Sequence, residues 1–175
     1  MSIAESFLAE FEDQASVTRR FLERLSEDKL TWKPHEKSMT AGQLALHLAM
    51  VPGAVIQLVQ AESAPPPDFS IRPQPASCAE VLQAMDESVA TVRTLLPKMS
   101  DAVMRQNFRI VAGEQELMAA PRQQFVRNIM LNHWYQHRGQ FSVYLRLLGV
   151  PVPASWGPSA DEMPSFPQRR EATAA

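Results

Sequence analysis

This chain of 175 residues holds a single cysteine, Cys78, so no intramolecular disulfide can staple it. Nothing in its cysteine usage suggests a small secreted scaffold. A charge excess is also missing: the net charge is −2 at pH 7, with lysines and arginines scattered along the chain. Nucleic-acid binders show a basic stripe, and proteins that bind anionic membranes show a basic cluster; neither is present. No apolar run approaches the length of a bilayer span. The opening residues, MSIAESFLAEFEDQ, carry acidic side chains where a secretory leader has a basic flank and an apolar centre. These absences lead to an expectation of one cytoplasmic domain with no nucleic-acid and no membrane partner. The 45% hydrophobic content suffices for a core in a chain of this length.

Helical periodicity is plentiful. Ile3, Phe7, Phe11, Ala15, Phe21 or Leu22, and Leu25 recur at three- and four-residue steps, which predicts a first helix over about 3–25. Thr40 and Gln43 form a capping box that opens a second, with the stripe Leu44, His47, Leu48, Val51, Val55 and Leu58. Pro52 should kink it, because proline cannot donate to the Leu48 carbonyl. Ser77 and Glu80 suggest another capping box before Val81, Leu82, Met85, Val89, Val92 and Leu96, and Pro97 closes that segment. Residues 101–120 mix strand formers with Gly113 and read as a long crossover with room for a short hairpin. Pro121 suits the first turn of a fourth helix. Its predicted face is Val126, Ile129, Met130, His133, His137, Phe141, Tyr144 and Leu148, capped by Gly149 and stopped by Pro151. The expected fold is all-α: a four-helix bundle over 1–162 with a long crossover before the last helix, its order left open, and a loose tail over 163–175.

Of four histidines, three lie on these stripes: His47, His133 and His137. His133 and His137 are one helical turn apart, so their rings look the same way. His35 sits in a Trp-Lys-Pro-His loop. One reading is three separately satisfied core histidines. The other is a divalent ion held by all three, since buried imidazoles need partners and their neighbours here are mostly Leu, Val, Ile and Met. Trp134, Tyr135 and Gln136 stand between the pair, so the glutamate base of a His-Glu-x-x-His protease is missing, and no Asp or Glu occurs over 123–153. Three neutral ligands leave the charge of an ion undiminished. That suits lowering the pKa of a thiol or water, or polarising a substrate oxygen.

The stretches MTAGQLALHLAMVPG, APRQQFVRNIMLNHWYQHRGQFSVYLRLLGVPVP and WGPSADE resemble the DinB / YfiT-like superfamily of four-helix-bundle metalloproteins. The likeness extends more weakly from the first helix to about residue 162. The resemblance implies one metal-binding histidine on the second helix and two on the last, which by motif position are His47, His133 and His137. It also implies nickel or zinc, a homodimer, and an expected bulky aromatic where Ala54 stands. Some relatives transfer low-molecular-weight thiols to electrophiles and others use such a thiol as cofactor, which implies a small-molecule substrate and a role in detoxification or stress response. The alternatives are a metal-dependent hydrolase and a non-catalytic metal- or ligand-binding stress protein. No residue of the chain is assigned as a catalytic acid or base.

Around the histidines, Gln140 could bond a ligand imidazole, and Tyr144, one heptad beyond His137, could reach a substrate or fill the core. Arg138 either holds an anionic thiol or pairs with Asp161 or Glu162; it points about 100° from the ligand face, which favours the pairing. Leu145, Leu147 and Val150 are the apolar residues expected on a dimer surface. Trp32, Trp134 and Trp156 could be pocket walls or packing. Cys78, at a helix N-terminus, is either a lowered-pKa thiol or a small filler.

Overall fold

The computed structural model describes residues 1–164, so the tail expected to be loose lies, from residue 165 on, outside the described residues. Four long helical elements carry the fold. Helix α1 (Ile3–Leu22) opens on a capping box that the stripe alone did not reveal: Ser2 Oγ accepts from the Glu5 amide, and Glu5 accepts from the Ser2 amide. It ends three residues earlier than its apolar pattern suggests. Helix α2 (Ala41–Leu58) has the expected Thr40–Gln43 box in full. Before α3 (Cys78–Leu95) only half of the second box forms, because Glu80 reaches past Ser77 to the Ala76 amide. The short α4 (Asp101–Arg105) leads into the crossover.

The crossover is indeed a hairpin, β2 (Asn107–Ala112) and β3 (Gln115–Pro121), antiparallel with a bulge at Ile110/Val111 and a turn at Gly113, φ +60°. A two-residue strand, β1 (Ser63–Ala64), pairs with β2 in parallel and completes a three-stranded sheet in the order β1-β2-β3. Arg122 binds this corner together. It is 5% exposed, and its guanidinium donates to the carbonyls of Val59, Ala61, Gln106 and Asn107.

The last helix is one rod with three textures: α5 (Arg122–Phe125), a wide π-helical stretch (Val126–Asn132), and α6 (His133–Leu147). It closes on Gly149 at φ +71°, where the Val150 and Gly149 amides bond the Leu145 and Arg146 carbonyls. Around the bundle, α2 packs between α3 and α6, and α1 packs against α3 and α6 from the other side. Phe11, Leu44, Leu48, Met85, Trp134 and Phe141 fill the centre.

The wide π turn changes which residues face inward. Val126, Met130, Leu131, Trp134, Arg138, Phe141 and Leu145 are buried, whereas Ile129, expected on the inner stripe, is 42% exposed. His133 and His137 are half-buried at the margin of the core rather than on its axis. Leu145 belongs to the interior and drops out of the surface expected for a dimer; Leu147 is exposed. One expectation about membranes is corrected too. By length and composition α2 is apolar enough to cross a bilayer, but 67% of it is buried among its neighbours, as in a core helix.

Pro52 sits inside α2 with a purpose legible in its surroundings. It cannot donate to the Leu48 carbonyl, and that carbonyl instead accepts from Trp134 Nε1 at 2.8 Å. The next amide, Gly53, donates to the Ser88 hydroxyl at 2.8 Å, so the α2 backbone is bonded directly to a side chain of α3. A Cβ on Gly53 would lie 2.8 Å from Ser88 Cα. Gly53→Ala should therefore destabilise by about 1–3 kcal/mol through overpacking, read as a lowered urea midpoint. An unchanged midpoint would mean that the two helices separate freely.

Candidate metal centre

The Trp134–Leu48 bond sets the register that matters. Each partner is the chain neighbour of a histidine, His133 on α6 and His47 on α2. With His137 one turn further along α6, the three ring nitrogens available for coordination all lie within 4.8 Å of one another. Ring centroids are 5.3 Å apart for His47–His133, 4.7 Å for His47–His137 and 4.4 Å for His133–His137, with planes at 81°, 88° and 78°. Edges, not faces, meet. The fourth histidine, His35, is an exposed loop residue whose Nδ1 accepts from the Lys37 amide, outside this cluster.

The hydrogen bonds decide where the protons sit. Gln140 Oε1 is 2.9 Å from His137 Nδ1, and an amide oxygen only accepts, so His137 carries its proton on Nδ1. Its Nε2 lone pair then faces His133 Nε2 at 2.8 Å. Burial pushes the pKa of His47 down to about 4, helped by His137, His133 and Arg72. Burial and His137 also lower that of His133, against an opposing pull from the Ile129 carbonyl. A lone pair at the His137–His133 contact, a third imidazole alongside and burial that disfavours protonation fit a divalent cation, whose bonds to imidazole are about 2.0–2.1 Å. Among the described residues no carboxylate joins the cluster.

Gln140 is itself held: its Nε2 lies 3.5 Å from the Tyr144 hydroxyl, which donates to the Met39 carbonyl, and Trp32 packs edge-on against Tyr144 at 5.6 Å. The Tyr144 hydroxyl is thus committed to backbone. Gln140→Leu would free His137 to take the other tautomer, and should weaken zinc binding about 10–100-fold by titration calorimetry. Unchanged affinity would show that ring orientation is set elsewhere.

A cavity of about 330 Å³ opens beside His47, walled mainly by apolar side chains including Met39, Leu46, Met50 and Val51. Ala54 lines it, so a small side chain stands in the wall. Gln43 donates to the Arg72 carbonyl at 2.8 Å and anchors the loop that carries Ile71, Arg72 and Pro73 over the opening.

Other candidates fall elsewhere. Arg138 bonds neither Asp161 nor Glu162; Arg146 takes the first and Arg20 the second. Instead Arg138 turns to α1, donating to Gln14 and Thr18. The Cys78 thiol is pushed up by burial and by Glu27, and it donates to the Leu25 carbonyl, so the filler reading holds and helix-terminal activation does not. Trp134 is core; Trp156 is exposed. What the sequence reading missed is the pairing of Pro52 with Trp134. Its signal was there: a proline inside an apolar stripe frees a carbonyl that must find a donor.

Comparisons with known proteins agree with this architecture. An uncharacterized protein, YrdA of Bacillus subtilis strain 168, is 24% identical over 164 residues, 93% of each chain. The crystal structure of a DinB-like protein from Bacillus cereus ATCC 10987 superposes with a TM-score of 0.69 at 21% identity, covering 87% of this chain and 97% of that one. The DinB-like protein YjoA from Bacillus subtilis gives 0.64 at 17%, covering 94% and 99%. Those likenesses carry the fold alone. The DinB family model, however, matches residues 1–171, nearly the whole sequence, and the chain belongs to the DinB family.

Proposed function

We propose that His47, His133 and His137 hold a divalent cation, nickel or zinc, and that the protein uses it to activate a thiol or water toward a small electrophile. The observation that carries this reading is the 2.8 Å approach of two ring nitrogens whose proton accounting leaves a lone pair at the contact, with His47 alongside. When bound, the ion would supply Lewis-acid chemistry, favouring the deprotonated form of the nucleophile at neutral pH.

The protein's own residues supply position and exclusion. Gln140 holds His137 in the tautomer that presents Nε2. The Trp134–Leu48 bond holds the two ligand-bearing helices in register. The apolar cavity beside His47 accepts the body of an uncharged or weakly polar substrate, and Arg72 at its rim adds a positive charge. Among the described residues no carboxylate lines that cavity, so none of them offers a general-base Asp or Glu there.

The test uses untagged protein loaded with nickel or zinc, assayed with glutathione, coenzyme A and bacillithiol against monochlorobimane, and with activated esters for water attack. Metal-dependent thioether formation, lost in His47→Ala, supports thiol activation. Metal-dependent ester cleavage without thioether formation assigns the hydrolytic version. Stoichiometric metal binding with equal rates in loaded, metal-free and His47→Ala protein would overturn catalysis and leave a metal-binding protein.

A further inference from the structure

Among the described residues two arginines are buried, and they are satisfied very differently. Arg122 spends its guanidinium on four backbone carbonyls. Arg138, 8% exposed, uses Nη1 alone, toward the Gln14 carbonyl at 3.4 Å and the Thr18 hydroxyl at 3.2 Å. Its Nε and Nη2 make no hydrogen bond among the described residues, and no carboxylate there lies within ion-pair distance of it. The face of Tyr135, with its centroid 5.3 Å from Arg138 Cζ, offsets part of the charge but cannot accept those protons in the plane of the guanidinium. A cation this little exposed and without a counter-charge is costly, its two free donors reach solvent only through the cavity they line, and the cost falls when an anion reaches them.

Space for one is present. Arg138 lines an open cavity of about 300 Å³ between α1, α6 and residues 152–159, walled by Phe21, Tyr135, Ser142, Ser155 and Pro158 among others. It shares no lining residue with the cavity beside His47. Acidic side chains of the surrounding segments are committed: Glu10 to Arg127 and Tyr135, Asp161 to Arg146, Glu162 to Arg20. The Ser155 hydroxyl has no partner among the described residues. The two unused donors, Nε–H and Nη2–H, lie on one edge of the guanidinium, the edge that grips two oxygens of one anion side by side.

We propose that this cavity is a binding site for a small organic oxyanion, a carboxylate or a phosphate, gripped in bidentate fashion by Arg138. A volume of about 300 Å³ leaves room for a ligand larger than an inorganic ion. Phe21 and Tyr135 give its body an aromatic wall.

Thermal melts at constant ionic strength test this with benzoate, phenyl phosphate, inorganic phosphate and chloride, on wild type, Arg138→Gln, Ser155→Phe and His133→Ala. The expected result is a saturable rise of about 3 °C at tenfold excess over Kd for at least one organic oxyanion, with none for chloride. The rise should persist in His133→Ala, which separates this site from the histidine cluster, and vanish in Arg138→Gln and Ser155→Phe. Comparing benzoate with phenyl phosphate identifies the headgroup. Should Arg138→Gln fail to fold, Ser155→Phe decides, because it fills the cavity and leaves the guanidinium in place. No saturable response to any anion overturns the proposal. So does a response that survives Ser155→Phe, or one that disappears in His133→Ala.

Discussion

His133→Ala and His137→Ala should each lower zinc affinity by about a hundred- to a thousandfold, with His47→Ala close behind. Structural zinc sites with four ligands are worth about 10–16 kcal/mol, so one ligand of such a set carries roughly 3 kcal/mol. Titration calorimetry on untagged protein reads this directly, and His35→Ala provides the control. An unaltered affinity in His133→Ala, or a loss in His35→Ala, would place the ion elsewhere.

The same site makes a pH prediction with a definite sign. Exposed imidazoles lose metal below about pH 6.5 because protons compete. Here burial and the neighbouring rings hold the folded-state value for His47 near 4, and His133 is lowered as well. Metal binding should therefore persist below pH 6, where an exposed site would release its ion. The metal-free protein should behave the opposite way. Its unfolded form takes up protons at these histidines as the pH falls through about 6.5 while the folded form does not, so stability declines toward pH 4. Affinity that collapses already at pH 6.5 would contradict the burial argument.

Trp134→Phe should cost more stability than the loss of one exposed hydrogen bond. It leaves the Leu48 carbonyl buried with no donor, because Pro52 cannot supply one. An orphaned buried acceptor costs about 1–3 kcal/mol, and the smaller ring adds a cavity beside Phe11, which stacks on Trp134 at 5.5 Å. The decisive variant is the double one. Pro52→Ala restores an amide within helical reach of Leu48, so Trp134→Phe should cost less in that background than alone. Urea denaturation of the four proteins closes the cycle. Additive effects would mean that proline and tryptophan do not share the carbonyl.

Much of the bundle could be read from the chain because apolar residues at helical spacing report burial directly. The Thr40–Gln43 cap, the Gly149 terminus and the hairpin about Gly113 are local signals, and they survive whatever packs around them. The convergence of His47, His133 and His137 was legible for the same reason. The errors share another cause. A helical wheel assumes 100° per residue throughout, and the π stretch Val126–Asn132 breaks that assumption just before His133. Ile129 was thereby placed inside, and Leu145 and Arg138 outside. Strand β1 was invisible because two residues hold no period; only the tertiary partner β2 makes it a strand. The partners of Arg138 depend on which acids other arginines take first, and spacing does not encode that competition.

The bond between Leu48 and Trp134 spans 86 residues of chain, and this separation orders events in time. His133 and His137 belong to one helix and can chelate as soon as that helix forms, whereas His47 joins only after the hairpin has delivered α6 to α2. Closing so long a loop is slow compared with forming one helical turn. If the proposed site takes zinc, a chain folding in its presence would meet a two-ligand stage before the three-ligand one. An ion captured early at the proposed site would tether nothing distant, and it would clasp the halves of the molecule only once α2 and α6 have met.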